Sequence, residues 1–178
     1  MIQKKICMVG AFGVGKSSLV ARYVHSIFSE KYHTTVGVKI DKKVVQSRGE
    51  EVTLVLWDLA GEDALTTVKP AQIKGASGYI LVVDGLRRQT LEAAIDLQRR
   101  VTEVLGNAPF VCVFNKADVR EKWEIHPGEL EPLGAQHWRV IETSAKIGAG
   151  VEELFQALTD AMMQEHHAHD STTRAVAG

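Results

Sequence analysis

Short apolar runs alternate with stretches of helical periodicity along this chain. Residues 6–9 read as a buried strand, and Leu19, Val20, Tyr23, Val24 and Ile27 then recur at helical spacing. Residues 36–45 and 52–57 are β-branched runs, and the Ser47-Arg48-Gly49-Glu50 segment between them predicts a hairpin. Residues 79–83 and 110–114 are continuously apolar, as expected of strands covered on both faces. Between them Leu91, Ala94, Ile95, Val101 and Leu105 mark a helix. Residues 139–141 predict a short strand, and Val151, Leu154, Phe155, Leu158 and Met162 form the apolar stripe of a last amphipathic helix. Strand, helix, hairpin and then repeated strand–helix units predict an α/β fold, with a mainly parallel sheet and helices on both faces. The periodicity stops near Glu165. Residues 1–165 are therefore expected to form one domain, and 166–178, beginning His166-His167-Ala168-His169, a frayed flexible tail.

Composition narrows the picture without naming a function. A chain of 178 residues is long enough to bury a core without disulfide or metal support. The formal net charge of −1 argues against the general basic excess of a nucleic-acid binder, so no nucleic-acid partner is expected. Cys7 and Cys112 are too few for a disulfide scaffold and suggest a reducing compartment, so a cytoplasmic location is expected. Both lie in apolar strand runs, where buried thiols are the natural reading. No apolar run approaches bilayer-spanning length. Lys4 and Lys5 followed by residues 6–15 mimic a secretory signal, but that stretch is glycine-rich and lacks a small-residue cleavage site. The tail histidines could bind a metal in principle; flexible ends rarely make a closed site, and none is expected there.

Those glycines have a better explanation. Gly10-Ala11-Phe12-Gly13-Val14-Gly15-Lys16-Ser17 fits G-x-x-x-x-G-K-[ST], placed between the first strand and the first helix. Glycines let the backbone wrap so that consecutive N–H groups point inward as an anion nest. The helix that follows adds its N-terminal dipole at the same point. Val14 and Ser18 belong to this loop and helix start. Lys16 supplies a positive charge for β- and γ-phosphates, and the Ser17 hydroxyl suits Mg²⁺. The loop alone does not choose between ATP and GTP.

Three further motifs follow. Asp58-Leu59-Ala60-Gly61 ends the third strand, Asn115-Lys116-Ala117-Asp118 follows residues 110–114, and Thr143-Ser144-Ala145-Lys146 follows the last short strand. In this order they resemble the motif set of the Ras superfamily of small GTPases, over residues 2–165. Thr34-Thr35-Val36-Gly37 and Gly75-Ala76-Ser77-Gly78-Tyr79-Ile80 resemble Rab-like members most. The resemblance implies a three-layer P-loop G domain whose six-stranded sheet is mostly parallel, with the second strand antiparallel. It implies GTP and GDP as ligands, Mg²⁺ as cofactor, and slow hydrolysis of GTP to GDP and phosphate. Asp118 can accept from guanine N1–H and the N2 amine, which adenine does not present as a pair, and this selects guanine. By the same resemblance Asn115 contacts the N7 edge and the Lys116 stem packs along base and ribose. The Ala145 N–H reaches O6, supported by Ser144 and Lys146, and Phe28 lies against the guanine or is a plain core residue. Thr35 joins Ser17 and Asp58 at Mg²⁺ and senses the γ-phosphate together with the Gly61 N–H, while Tyr32 closes over the phosphates. Loss of that phosphate releases both switch segments.

Two residues depart from the family pattern. Glu62 stands where relatives carry the glutamine that orients the attacking water; its charge would sit beside the γ-phosphate and repel it. It is a candidate catalytic residue with Lys16, Gly61 and Thr35, or a solvated acidic residue pointing away. Phe12 stands where relatives carry a small residue, either crowding the γ-phosphate space or folding outward. Together they imply slow turnover, or a GTP-binding scaffold with negligible hydrolysis as the alternative. Pro70 is expected to limit helix formation in the second switch. Partners implied are effectors, an exchange factor and an activating protein acting through the switches. A monomer is expected, with a nucleotide-dependent dimer as the alternative. No cysteine follows Cys112 and Ile2 does not suit myristoylation, so membrane recruitment would need a partner rather than a direct lipid anchor.

Overall fold

The computed structural model describes residues 2–31, 34–62, 68–129 and 138–176, without the side chains of Pro127 and 169–176. Six strands form one sheet: β1 (Ile2–Gly10), β2 (Val38–Ser47), β3 (Glu50–Leu59), β4 (Gly78–Asp84), β5 (Phe110–Asn115) and β6 (Val140–Glu142). Their spatial order is β2-β3-β1-β4-β5-β6. Only β2 runs antiparallel, paired with β3 from Val38↔Leu59 to Ser47↔Glu50. The hairpin turn is made by Arg48 and Gly49, both at positive φ (52° and 81°), the geometry that matches the twist of a two-residue turn. The remaining neighbours are parallel.

Alternation along the strands sends side chains into two separate cores. Ile6 and Met8 of β1, with Leu54 and Leu56 of β3, face α1 (Lys16–His25) and the long helix α4 (Val151–Val176). Cys7 and Val9, with Leu81 and Val83, face α2 (Pro70–Ile73) and α3 (Gln89–Leu105). Helices on both faces explain why β4 is buried at every position and why its sequence shows no polar alternation. In the first core Tyr23 and Phe155 stack at 3.8 Å between ring centroids. In the second, Trp138 meets Phe110 edge to face at 5.3 Å.

Three local features refine the sequence reading. Ile27 does not continue α1: Ser26 turns left-handed (φ 56°) and ends the helix, leaving Ile27 exposed. Pro70 opens a helix of only four residues, Pro70–Ile73, at the first helical position, where its missing N–H is no loss. The backbone of 166–176 is helical, continuing α4 beyond the last residues of its apolar stripe. Histidine, aspartate, serine and threonine dominate there and are weak helix formers, so neither propensity nor an apolar stripe announces the continuation. Both cysteines are free and buried, with β4 lying between their strands.

Phe155 is fully buried and stacked, so Phe155→Ala should destabilise the fold by about 3–5 kcal/mol. Urea unfolding followed by tryptophan fluorescence, at fixed nucleotide concentration, would show it as a lower midpoint with little change in slope.

Candidate functional site

The carboxyl ends of β1, β3, β4 and β5 meet at one edge of the sheet, where a parallel α/β fold places its ligand crevice. A cavity of about 690 Å³ lies there, within the range of nucleotide-sized sites. One end is lined by Asn115, Lys116, Asp118, Ala145 and Lys146, and the other by Phe12, Thr35, Lys39, Leu59 and Gly61. Gly13, Gly15, Lys16, Ser17, Ser18 and Phe28 also line it.

The loop after β1 turns as its glycines allow. Gly13 and Gly15 have φ of 73° and 101°, and a Cβ on Gly15 would sit 2.3 Å from the Asn115 amide nitrogen. Val14 contributes backbone only: its side chain is in the core and its carbonyl accepts from Asn115 Nδ2 at 3.0 Å. Lys16 is buried and donates to the carbonyls of Gly10 (3.1 Å) and Ala11 (3.0 Å). Burial holds its pKa down at about 8, while the negative charges of Asp58 and Glu62 pull it upward. An ammonium satisfied mainly by carbonyls is well placed to exchange them for anionic oxygens.

Ser17, Thr35 and Asp58 converge as expected. Ser17 Oγ lies 2.7 Å from Thr35 Oγ1 and donates to Asp58 Oδ2, which also accepts from Thr35 at 3.3 Å. Asp58 Oδ1 is buried without a hydrogen-bond partner among the described residues. Burial pushes this carboxyl up, opposed by the hydrogen bonds from Ser17 and Thr35 and by the charges of Lys16 and Lys39. Two hydroxyls and a carboxylate with a spare oxygen are hard donors that fit Mg²⁺.

At the other end the base-loop residues hold one another. Ser144 Oγ donates to Asp118 Oδ1 at 2.5 Å, fixing the carboxylate. Asn115 Oδ1 accepts from the Ala145 N–H and from Thr143, each at 3.3 Å. Lys116 adopts φ 70° and its ammonium lies 2.7 Å from Asp84. Phe28 packs partly on the first core, and Lys146 pairs with Glu30 at 3.2 Å. Tyr32 lies outside the described residues, as do residues 63–67 of the second switch.

Glu62 does not face the cavity. Its carboxylate, 13% exposed, forms a two-pronged pair with Arg100 of α3 and accepts from the Val68 N–H at 2.7 Å. Its backbone is tied to the phosphate loop, with Phe12 N–H to the Glu62 carbonyl at 2.8 Å and Glu62 N–H to the Gly10 carbonyl at 3.2 Å. Phe12 lines the cavity and is partly exposed, and a Cβ on Gly61 would come within 2.5 Å of the Phe12 Cα.

Sequence reasoning missed four supporting residues. Asp84 is fully buried and accepts from both Lys116 and Arg87; Arg87 Nη2 in turn donates to the Phe12 carbonyl at 2.8 Å. A lone acid ending the apolar run of β4 was the available signal. Arg22 of α1 donates to the carbonyls of Ala145 and Lys146. Arg100 sits among other polar residues of α3, and nothing in the sequence distinguishes it.

A phosphate loop, a hard-oxygen cation cluster and a carboxylate-bearing base pocket on this sheet define a P-loop guanine-nucleotide-binding domain. The chain belongs to the Ras family, whose family model matches residues 5–164, and is thus a small GTP-binding switch protein with the GTPase activity of that family. It is 32% identical over 174 residues to Ras-related protein Rab-32 of Homo sapiens, covering 92% of this chain and 76% of the relative. It is 30% identical over 156 residues to Ras-related protein Rab-13 of Rattus norvegicus, covering 86% and 77%. Ras-related protein Rab-32C of Dictyostelium discoideum is 28% identical over 176 residues, covering 97% and 79%. No helix among the described residues is long and apolar enough to cross a membrane.

Arg100→Ala should free the Glu62 carboxylate and loosen the segment that it anchors. Hydrogen exchange at the Val68 amide is expected to accelerate by at least about tenfold, while amides of β4 keep their protection.

Proposed function

We propose that this chain is a switch that binds GTP and GDP through residues 1–165 and hydrolyses GTP slowly. The placement of Glu62 carries the second half of this reading. Residue 62 follows the Gly61 N–H that would meet the γ-phosphate, yet its carboxylate is committed to Arg100 and the Val68 N–H. No neutral amide stands there to orient water, and the Phe12 side chain takes part of the space beside it.

Guanine selection falls to Asp118, pre-aimed by Ser144, with one Asn115 amide hydrogen left over for the N7 edge. Lys116, held by Asp84, and Phe28 flank the base, and the Ala145 N–H with Lys146 serves O6. The nest of Gly13, Val14 and Gly15 takes the β-phosphate through backbone N–H groups, with Ser18 at the helix start beside it. Lys16 spans the β- and γ-phosphates. Ser17, Thr35 and Asp58 would hold Mg²⁺, which when bound neutralises charge on the β- and γ-oxygens. Thr35 and Gly61, with Tyr32, would sense the terminal phosphate, so its loss releases both switch segments to effectors and regulators. Control of signalling or trafficking through the switch segments is the role this reading implies. A GTP-binding scaffold with negligible hydrolysis is the second reading, favoured by the same Glu62–Arg100 pair.

Acid extraction of the purified protein should release guanine nucleotide, and a single-turnover assay should give measurable but slow GDP formation. Glu62→Ala should change that rate by less than about threefold; a much larger loss would restore Glu62 to the catalytic set. No product over hours would favour the scaffold, and absence of guanine-nucleotide affinity would sink both readings.

Lys16 also sets a pH dependence. Its pKa is lowered to about 8 in the free site, so the ammonium is present below that value and lost above it. Phosphate binding requires the charged form, so affinity should be flat at low pH and weaken as pH rises. A fall of about fourfold in GDP affinity between pH 7 and pH 8.5 is expected by titration at constant ionic strength.

A further inference from the structure

Five lysines line the nucleotide cavity: Lys16, Lys31, Lys39, Lys116 and Lys146. Lys16 is buried among loop carbonyls, Lys116 is held by Asp84 and Lys146 by Glu30. Lys39 is placed differently. It stands on β2, directly opposite Asp58 in the antiparallel ladder with β3. Directly opposed residues of such a pair project to the same face of the sheet. Lys39 therefore shares a face with the carboxylate that meets Ser17 and Thr35, at the end of the cavity away from Asp118. The two are close enough for Lys39 to lower the pKa of Asp58 through its charge.

The Lys39 ammonium lies 3.3 Å from Asp41, two residues along the same strand face, and its side chain is 59% exposed. The partner carboxylate is only 12% exposed, so the pair joins a solvated ammonium to a largely covered acid. Asp41 Oδ1 also meets His25 at 3.0 Å, so the carboxylate keeps one partner when Lys39 turns toward the cavity. The ammonium is thus a charge on a flexible stem, rooted in a rigid strand, beside the place where a γ-phosphate adds negative charge.

We propose that Lys39 is a specificity residue of the nucleotide site, supplying positive charge at the γ-phosphate end and favouring guanosine triphosphate over diphosphate. This rests on the reading of the cavity as a guanine-nucleotide site. The β-phosphate is already surrounded by the backbone nest and Lys16, so Lys39 adds little for GDP. Its partial exposure makes the contribution sensitive to salt. It also bears on slow turnover, because a charge that holds the triphosphate ground state favours the loaded form of a switch whose Glu62 is engaged elsewhere.

The test compares a fluorescent GDP with a fluorescent non-hydrolysable GTP analogue, using dissociation and association rates at constant Mg²⁺. In Lys39→Ala, affinity for the triphosphate analogue should fall by about five- to tenfold, with GDP affinity unchanged. Lys39→Arg should restore most of the preference, and Lys39→Glu should lower it further. For the unaltered protein, triphosphate affinity should fall more steeply with added salt than GDP affinity. Asp41→Asn, which breaks the resting pair but keeps the lysine, should leave the preference intact or raise it. Equal weakening of both nucleotides in Lys39→Ala, or no change in either, would overturn the proposal. So would an equal triphosphate-specific loss in Lys31→Ala, which would make the effect a diffuse field rather than a property of Lys39. If the unaltered protein binds neither nucleotide, the guanine-nucleotide reading itself fails.

Discussion

The carboxyl edge of this sheet is organised around a buried ammonium. Lys16 sits at the start of α1, with too little water around it to keep the ordinary pKa of a lysine, and rests on two carbonyls of its own loop. That arrangement exists because Gly13 and Gly15 take backbone angles that a side chain would resist, bringing the loop back over the lysine. The neighbouring charges follow from it. Asp58 and Glu62 both help to hold the lysine charged, and Asp58 in turn draws in Ser17 and Thr35.

Around this centre, arginines act as fasteners. Arg87 fixes the carbonyl of Phe12, Arg100 holds Glu62, and Arg22 gathers the carbonyls after β6. A guanidinium offers several donors in a fixed plane and does not lose its charge, so one side chain can pin backbone and carboxylate together. Asp84 shows the same economy among acids. One buried carboxylate receives the lysine of the base loop and the arginine that reaches the phosphate loop. The Asn115–Asp118 loop and the loop at residue 12 therefore share a mechanical link far shorter than their separation along the chain.

Much of the fold was legible in the sequence because burial on both sides of a sheet leaves a plain mark: unbroken apolar runs at 79–83 and 110–114, and a helical stripe from Val151 to Met162. The clustering of the candidate site was legible because glycine spacing and the acid–lysine–asparagine set have few other physical uses. What escaped had no periodic signature. The helical backbone past Glu165 runs through weak helix formers, so propensity gave no signal for it, and the end of α1 depends on one left-handed serine. The destination of the Glu62 side chain was invisible because its partner, Arg100, lies far along the chain on the polar face of α3. The role of Lys39 was hidden for a related reason: only the register of β2 against β3 puts it opposite Asp58.

The two thiols carry a practical consequence. Cys7 is buried with its pKa pushed up to about 11, and burial pushes Cys112 higher still, so neither is a competent nucleophile near neutrality. Maleimide chemistry should therefore ignore the native chain. A single cysteine engineered onto the exposed strand β2 would be the sole reactive handle, giving optical or spin reporters an unambiguous address without first stripping the core of its own sulfur.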